Sequence, residues 1–251
     1  MPARRFYPVS RLAGRLRFVF TTTQGVRSLS RFSLPRFAQC PSGCDISILI
    51  ATPMFGGVCH AKHFKSCLNL KDSFHDAGIP HDWLVTMNDS LITRARNTSV
   101  HGFLKTDFET LLFIDGDIEF APEDVSKLWN LDVDVAVGAY RMKKPDAKLT
   151  VWKDGRQVDI TEFHEPLSVD FAGTGFMLIQ REVFNTLSRA HPEWEYEEGQ
   201  DREKMVGFFQ DPILDYHQSE DYFFTESVRK LGMEVICDPS IRLTHWGMAG
   251  F

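Results

Sequence analysis

Long apolar runs are missing from this chain. Nowhere do about 18 apolar residues follow one another, so no segment is expected to span a bilayer. Zinc-type cysteine spacing is missing too: Cys40, Cys44, Cys59, Cys67 and Cys237 are scattered and odd in number. That pattern fits reduced thiols of a soluble, intracellular protein better than a disulfide framework. No G-x-x-x-x-G-K-[ST] phosphate loop occurs, and no internal repeat is evident. Acidic residues and lysines are absent from residues 1–44, which hold eight arginines and Pro2, Pro8, Pro35 and Pro41. The remainder therefore carries 20 basic against 34 acidic residues, a balance of −14 beneath the whole-chain value of −6. Such a charge excludes a nucleic-acid partner bound through phosphate neutralisation. The basic head has the composition of an organelle transit peptide or of a disordered tail, and either reading sets it apart from the fold.

What is present suits one globular core in residues 45–251, with 43% hydrophobic and 25% charged residues over the chain. Ile46–Ala51 reads as a strand closed by Thr52-Pro53 and the turn-forming Gly56-Gly57. Residues 60–77 read as a helix stopped by Gly78. His81–Met87 is a second strand, and a helix over 91–104 has Asp89 or Ser90 to cap it. Leu111–Ile114 reads as a strand buried on both faces. Pro122, with Glu123 and Asp124, opens a helix to Trp129. Further strands are expected at Val133–Tyr140, within Val169–Gln180 and within Glu234–His245. Helices are expected at Glu182–Leu187 and from Ser219 to Leu231. Lys143–Glu165 has no clear period and reads as loops and short strands. Residues 191–211, with Trp194, Tyr196, Phe208 and Phe209, read as a mobile acidic and aromatic loop able to fold over a substrate. The alternation of strands and helices makes the chain α/β.

The pivotal strand ends in Asp115-Gly116-Asp117. Ligands gather at the carboxyl ends of strands in open α/β sheets. Two carboxylates at i and i+2 point alike on a strand end, and such a pair needs a cation or hydrogen bonds to compensate it. Oxygen ligation suits Mg²⁺ or Mn²⁺, the companions of diphosphates. Two plainer readings compete. Asp-Gly is a common hairpin turn, and a D-x-D after an apolar strand also suggests an aspartyl-phosphate phosphatase, although Glu119 stands where such enzymes want Thr or Val.

Arg94 and Arg96 are two apart on a helix, so they do not share a face and one of them is expected to reach the site. A guanidinium there would meet phosphate in fork geometry. Glu220 and Asp221 open a helix, where simple dipole complementarity competes with a role as general base. His245 follows the last strand, placed as a nitrogen ligand or as an ordinary structural histidine. Gly173-Thr174-Gly175 reads either as room for a substrate against the backbone or as a bulge. Cys59, His63 and Cys67 would share a helix face, but helix-facing cysteine is usually a small buried hydrophobe.

In their order along the chain, Thr52-Pro53, Arg94-Ala95-Arg96-Asn97, Phe113-Ile114-Asp115-Gly116-Asp117, Ala172-Gly173-Thr174-Gly175-Phe176, Ser219-Glu220-Asp221-Tyr222-Phe223-Phe224 and Thr244-His245-Trp246 resemble a GT-A glycosyltransferase. The resemblance is to family-2-like enzymes of phages, large viruses and bacteria, with some similarity to Anp1-type mannosyltransferases around Arg94–Asp117. It covers residues 46–247. It implies a Rossmann-like single domain with a central mixed, mostly parallel sheet, a UDP- or GDP-linked sugar donor, and a glycan, protein or lipid acceptor. It implies donor-binding roles for Thr52, Pro53, Arg94, Arg96, Asn97, Asp115, Gly173, Thr174 and Gly175. Asp115, Asp117 and His245 would hold Mn²⁺ or Mg²⁺. Asp221, or Glu220 in its place, would be the catalytic base of an inverting transfer. No Q-x-x-R-W follows the acidic pair, which points to addition of a single sugar. A D-x-D phosphatase and a non-catalytic sugar-nucleotide binder are the rival classes.

Overall fold

A computed structural model describes residues 47–143, 148–159, 163–213, 215 and 217–247. The expected basic head, residues 1–44, lies outside the described residues. In chain order the elements are β1 (Ile48–Met54), α1 (Ala61–Ala77), β2 (His81–Met87), α2 (Ile92–Leu104), β3 (Thr110–Ile114), β4 (Ile118–Glu119), α3 (Pro122–Asn130), β5 (Val135–Val137), β6 (Val151–Lys153), β7 (Arg156–Gln157), β8 (Leu167–Ser168), β9 (Phe171–Ala172), β10 (Phe176–Gln180), α4 (Arg181–Ala190), β11 (Glu195–Glu198), β12 (Glu203–Val206), α5 (Glu220–Lys230), β13 (Val235–Cys237) and β14 (Thr244–His245).

The central sheet has seven strands in the order β2-β1-β3-β10-β5-β13-β8. It is mixed: β10 runs against β3 and β5 on either side, and β8 runs against β13, while the other five strands point one way. Alternate side chains of each strand feed two cores. Leu49, Leu111, Phe113, Val135 and Met177 meet Val100 and Phe103 of α2, Phe184 of α4 and Phe224 and Val228 of α5. Ile48, Ile50, Leu112, Ile114 and Leu178 meet Leu70 and Phe74 of α1 and Val125 and Leu128 of α3. The result is a three-layer α/β fold, as the alternation of elements requires.

Several ends follow from local chemistry. Gly78 closes α1 in the left-handed region (φ 70°), donating its N–H to the His75 and Phe74 carbonyls. Asp124 reaches back to accept from the Ala121 amide at the start of α3, 2.9 Å away. Strand β1 runs past Pro53 instead of ending there. Strand β3 pairs with it only as far as Ala51, so the proline's missing donor falls where β1 has a single neighbour.

The stretch expected to be a mobile loop is ordered instead. β11 and β12 form a hairpin, and Phe208 and Phe209 are buried in the core with Trp194 packed against it. Phe209 lies edge-on to Phe113 and stacks on Phe224, at 5.6 and 4.6 Å between centroids. Phe208, Phe209 and Trp194 are thus occupied in packing, not held free to cover a substrate.

Candidate active site

The carboxyl end of β3 opens into a cleft of about 500 Å³ lined by Pro53, Met54, Phe55, Asp89, Asp115, Gly116, Asp117 and Trp246, among others. Asp115-Gly116-Asp117 is a turn, closed by the Ile118 amide donating to the Asp115 carbonyl at 3.0 Å. It does not fold β3 back into a hairpin. Strand β4 leaves the main sheet and pairs antiparallel with β14, setting His245 opposite Ile118. That pairing brings a residue 128 positions downstream of Asp117 to its side. The Trp246 amide donates to the Asp117 carbonyl at 2.8 Å, and the Trp246 indole stacks on His60 at 4.7 Å.

Arg96 is the pivot of one half of the site. It is buried, and it donates from both terminal nitrogens to the two Asp115 carboxylate oxygens at 3.1 and 3.2 Å. Its Nε donates to Glu220 Oε1 at 3.4 Å. Burial opposes the guanidinium charge, but the Asp115 and Glu220 carboxylates more than offset this and raise its pKa above the usual arginine value. Two acids from distant parts of the chain, one just after β3 and one at the start of α5, are thus held by one cation from α2. Arg94 points elsewhere, pairing with Asp89 at 2.8 and 2.9 Å, and so steadies a cleft-lining carboxylate from outside.

Asp117 is the pivot of the other half. Its Oδ2 pairs with the Lys143 ammonium. Its Oδ1 is buried, accepts no hydrogen bond, and lies 3.4 Å from His245 Nε2. The His245 ring is fixed from behind, where Nδ1 donates to the Arg141 carbonyl at 2.8 Å. In the neutral ring this turns the Nε2 lone pair toward Asp117, the orientation a metal-ligating histidine takes from such a partner. Burial alone would raise the Asp117 pKa; a His245 Nε2 that carries its proton, together with the Lys143 ammonium, brings it down to about 2. This carboxylate is therefore charged at any working pH.

Asp221 is set differently. Burial, then the Glu220 charge, pushes its pKa up to about 6. Its Oδ1 accepts from the Ser219 hydroxyl and from the Tyr222 amide. Ser219 therefore spends its hydroxyl on Asp221 and does not cap α5 through its side chain. Among the described residues, Asp221 Oδ2 accepts no hydrogen bond.

The remaining expected residues fall as follows. Pro53 lines the cleft, whereas Thr52 is buried beneath it. Asn97 exchanges both ends of its amide with the Phe209 backbone at 2.9 Å, so it pins the segment after β12 and does not face the cleft. Gly173 and Gly175 are small for Tyr140: a Cβ at either would stand 2.6 Å from its hydroxyl, and one at Gly175 would also meet Asp115 Oδ2 at 3.0 Å. Their free space is filled by a side chain of this chain, with the Gly175 amide donating to Tyr140 Oη at 3.0 Å. Thr174 is buried. Asp115 has both oxygens engaged by Arg96, which leaves Asp117 and His245 as the pair facing each other with open valences. Among the described residues no group of three His, Cys, Asp or Glu side chains converges on one point. Cys59 precedes α1 and is exposed, and His63 is held by the Ile118 carbonyl and the Cys67 thiol, at 3.2 and 3.3 Å. Burial pushes the Cys67 thiol up to about 12, so His63 and Cys67 are packing, and Cys59 does not join them.

Tyr140 and Lys143 escaped the sequence reading as site residues, and Asp89 was read only as a helix cap. Tyr140 stands at the end of an expected strand, which is the one signal that pointed to it.

Comparison with known proteins gives a fold likeness. A crystal structure of A197 from STIV superposes with a TM-score of 0.52 at 17% identity, covering 80% of this chain and 86% of that one. The likeness is one of fold. GalNAc-T7, solved with UDP, GalNAc and Mn²⁺, aligns at TM-score 0.43 and 12% identity over 80% of this chain and 43% of that one. The inositol-1-phosphate CTP transferase of T. maritima aligns at 0.43 and 11%, over 80% and 88%. No family profile matches the chain, and no curated protein matches it. Among the described residues no helix is long and apolar enough to cross a membrane.

Proposed function

We propose that the chain is a GT-A-type glycosyltransferase that moves one sugar from a nucleotide-diphosphate donor to an acceptor hydroxyl with inversion. The observation carrying this reading is the convergence at one strand end of two electrostatic units from distant parts of the chain. One is Asp117 with His245, and the other is Asp115 with Arg96 and Glu220. An orphaned carboxylate oxygen facing a histidine nitrogen with a lone pair suits a divalent cation whose remaining positions are filled by phosphate and water. Asp117 and His245 would hold Mn²⁺ or Mg²⁺, which when bound neutralises charge developing on a diphosphate leaving group.

The chain's own residues supply the rest. Arg96 holds Asp115 and Glu220 in place, so this part of the site needs no reorganisation during reaction. Pro53, Phe55 and Ile92 give the cleft an apolar side, next to the carboxylates, against which a nucleoside can lie. Asp221 Oδ2 takes the acceptor proton, and a pKa of about 6 leaves it ionised yet basic near neutral pH. A phosphatase nucleophile at Asp115 is disfavoured because both its oxygens accept from Arg96.

Asp221→Asn tests the base. Turnover should fall by roughly 10²–10⁴-fold with donor binding retained. In the parent protein kcat/KM should rise with pH through about 6 as Asp221 ionises. The same raised pKa means that Asp221 costs folding stability as pH rises from the unfolded carboxylate value to about 6, so the variant should melt no lower than the parent at pH 8. A sharp drop in melting temperature with activity per folded molecule intact would make Asp221 a helix-start residue only.

A further inference from the structure

We propose that Lys143 is an exchangeable internal cation of the cleft: its ammonium holds the Asp117 carboxylate in the free protein and is displaced when a divalent cation settles on Asp117 and His245. This rests on the metal-dependent reading above. The two aspartates of the turn are neutralised in opposite ways. Asp115 is gripped by a buried arginine fork, whose side chain is 4% exposed and bonded on three nitrogens. Asp117 is met by a lysine that is 37% exposed and, among the described residues, has this single carboxylate for a partner. A guanidinium in a fork is fixed in place; a point charge on a four-carbon stem leaves at little cost.

The backbone around Lys143 is held where the ammonium would have to move. The Thr150 amide donates to the Tyr140 carbonyl at 3.0 Å, and the Met142 amide to the Lys148 carbonyl at 3.4 Å. From the same stretch the Arg141 carbonyl orients His245, and the Tyr140 hydroxyl accepts from Gly175. One short segment therefore fixes the nitrogen ligand with its backbone and covers the oxygen ligand with a side chain. The cation facing Asp117 is Lys143, beside the His245 ring, while Lys62 of α1 is engaged by Glu119 of β4 at 3.6 Å. Among the described residues, displacement then requires breaking this one partly exposed ion pair.

The test uses Mn²⁺ alone as the probe, without nucleotide, on the full chain by titration calorimetry or by loss of the free Mn²⁺ resonance signal. Lys143→Met should bind Mn²⁺ about tenfold more tightly than the parent, since it loses both a competitor and a like charge. Lys143→Arg should bind no more tightly than the parent. Circular dichroism melts establish that each variant is folded. Unchanged or weaker Mn²⁺ affinity in folded Lys143→Met, with the parent still binding, overturns the role of Lys143 and spares the metal reading. No Mn²⁺ binding by either protein overturns both.

Discussion

Asp117→Ala is expected to abolish transfer, by about three orders of magnitude or more, while leaving the fold intact. The size follows from the chemistry: a Lewis-acidic cation contributes several kcal/mol of charge stabilisation to a transition state, and about 1.4 kcal/mol is a factor of ten in rate. The fold survives because the substitution removes no core side chain. Asp117 is 35% exposed, and its backbone bond to the Trp246 amide is untouched. Its Oδ1 has no hydrogen bond to lose, and the Lys143 ammonium can return to water. His245 should keep its orientation through the Arg141 carbonyl. A melting curve together with a turnover assay on the same preparation checks this. Activity within tenfold of the parent would remove Asp117 from the chemistry.

Arg96→Ala has the opposite signature, a large loss of stability as well as of activity. It leaves Asp115 and Glu220, 23% and 14% exposed, without their shared cation. Removing one partner of a buried ionic cluster costs about 3–5 kcal/mol, or roughly 10 °C in melting temperature for a domain of this size. Neutralising the acids as well, in Arg96→Ala with Asp115→Asn and Glu220→Gln, should return part of the lost stability, because no unpaired charge is then left half-buried. Arg96→Lys should recover only part of it, because an ammonium cannot serve three acceptors in a plane. No recovery in the triple variant would mean that the loss is packing against Phe113, whose ring lies 5.4 Å from the guanidinium.

How much of this was legible in the sequence depended on whether a signal was local. His81–Met87 and Gly78 were read at their observed positions because alternation and a left-handed stop are properties of neighbours. The aspartate turn was legible because an apolar run ending in carboxylates is costly without a reason. Asp115-Gly116 and Asp154-Gly155 carry the same dipeptide, yet only the second makes a hairpin. Asp154 and Gly155 both have positive φ, 51° and 74°, and join β6 to β7. What separates the two is the buried Leu111–Ile114 strand before the first. The hairpin at Asp154 was readable from its turn residues, but was left unplaced within a stretch read as loops and short strands.

Other features were invisible because they are products of topology. Nothing near Lys143 says that it meets Asp117; that contact exists because β4 leaves the sheet for β14 and the chain after β5 returns beside it. Gly173 and Gly175 were read as room for a substrate, but the room is taken by Tyr140, 35 residues away from Gly175. The acidic and aromatic composition of residues 191–211 suggested mobility. Acidic residues do face outward there, but Asn97 bonds the Phe209 backbone and the rings complete the core. Composition could not separate a lid from a hairpin whose inner side is packed.

A thermal-shift panel of UDP, GDP and CDP, each with and without Mn²⁺, puts the whole reading at risk in one experiment. One nucleotide at about 100 times its dissociation constant should stabilise the protein by about 2.7 kcal/mol, a rise of roughly 5–10 °C. The rise should occur only when Mn²⁺ is present, because in the proposed function Asp117 and His245 would meet the diphosphate through the cation. The same rise without metal, or no rise with any nucleotide, would contradict it.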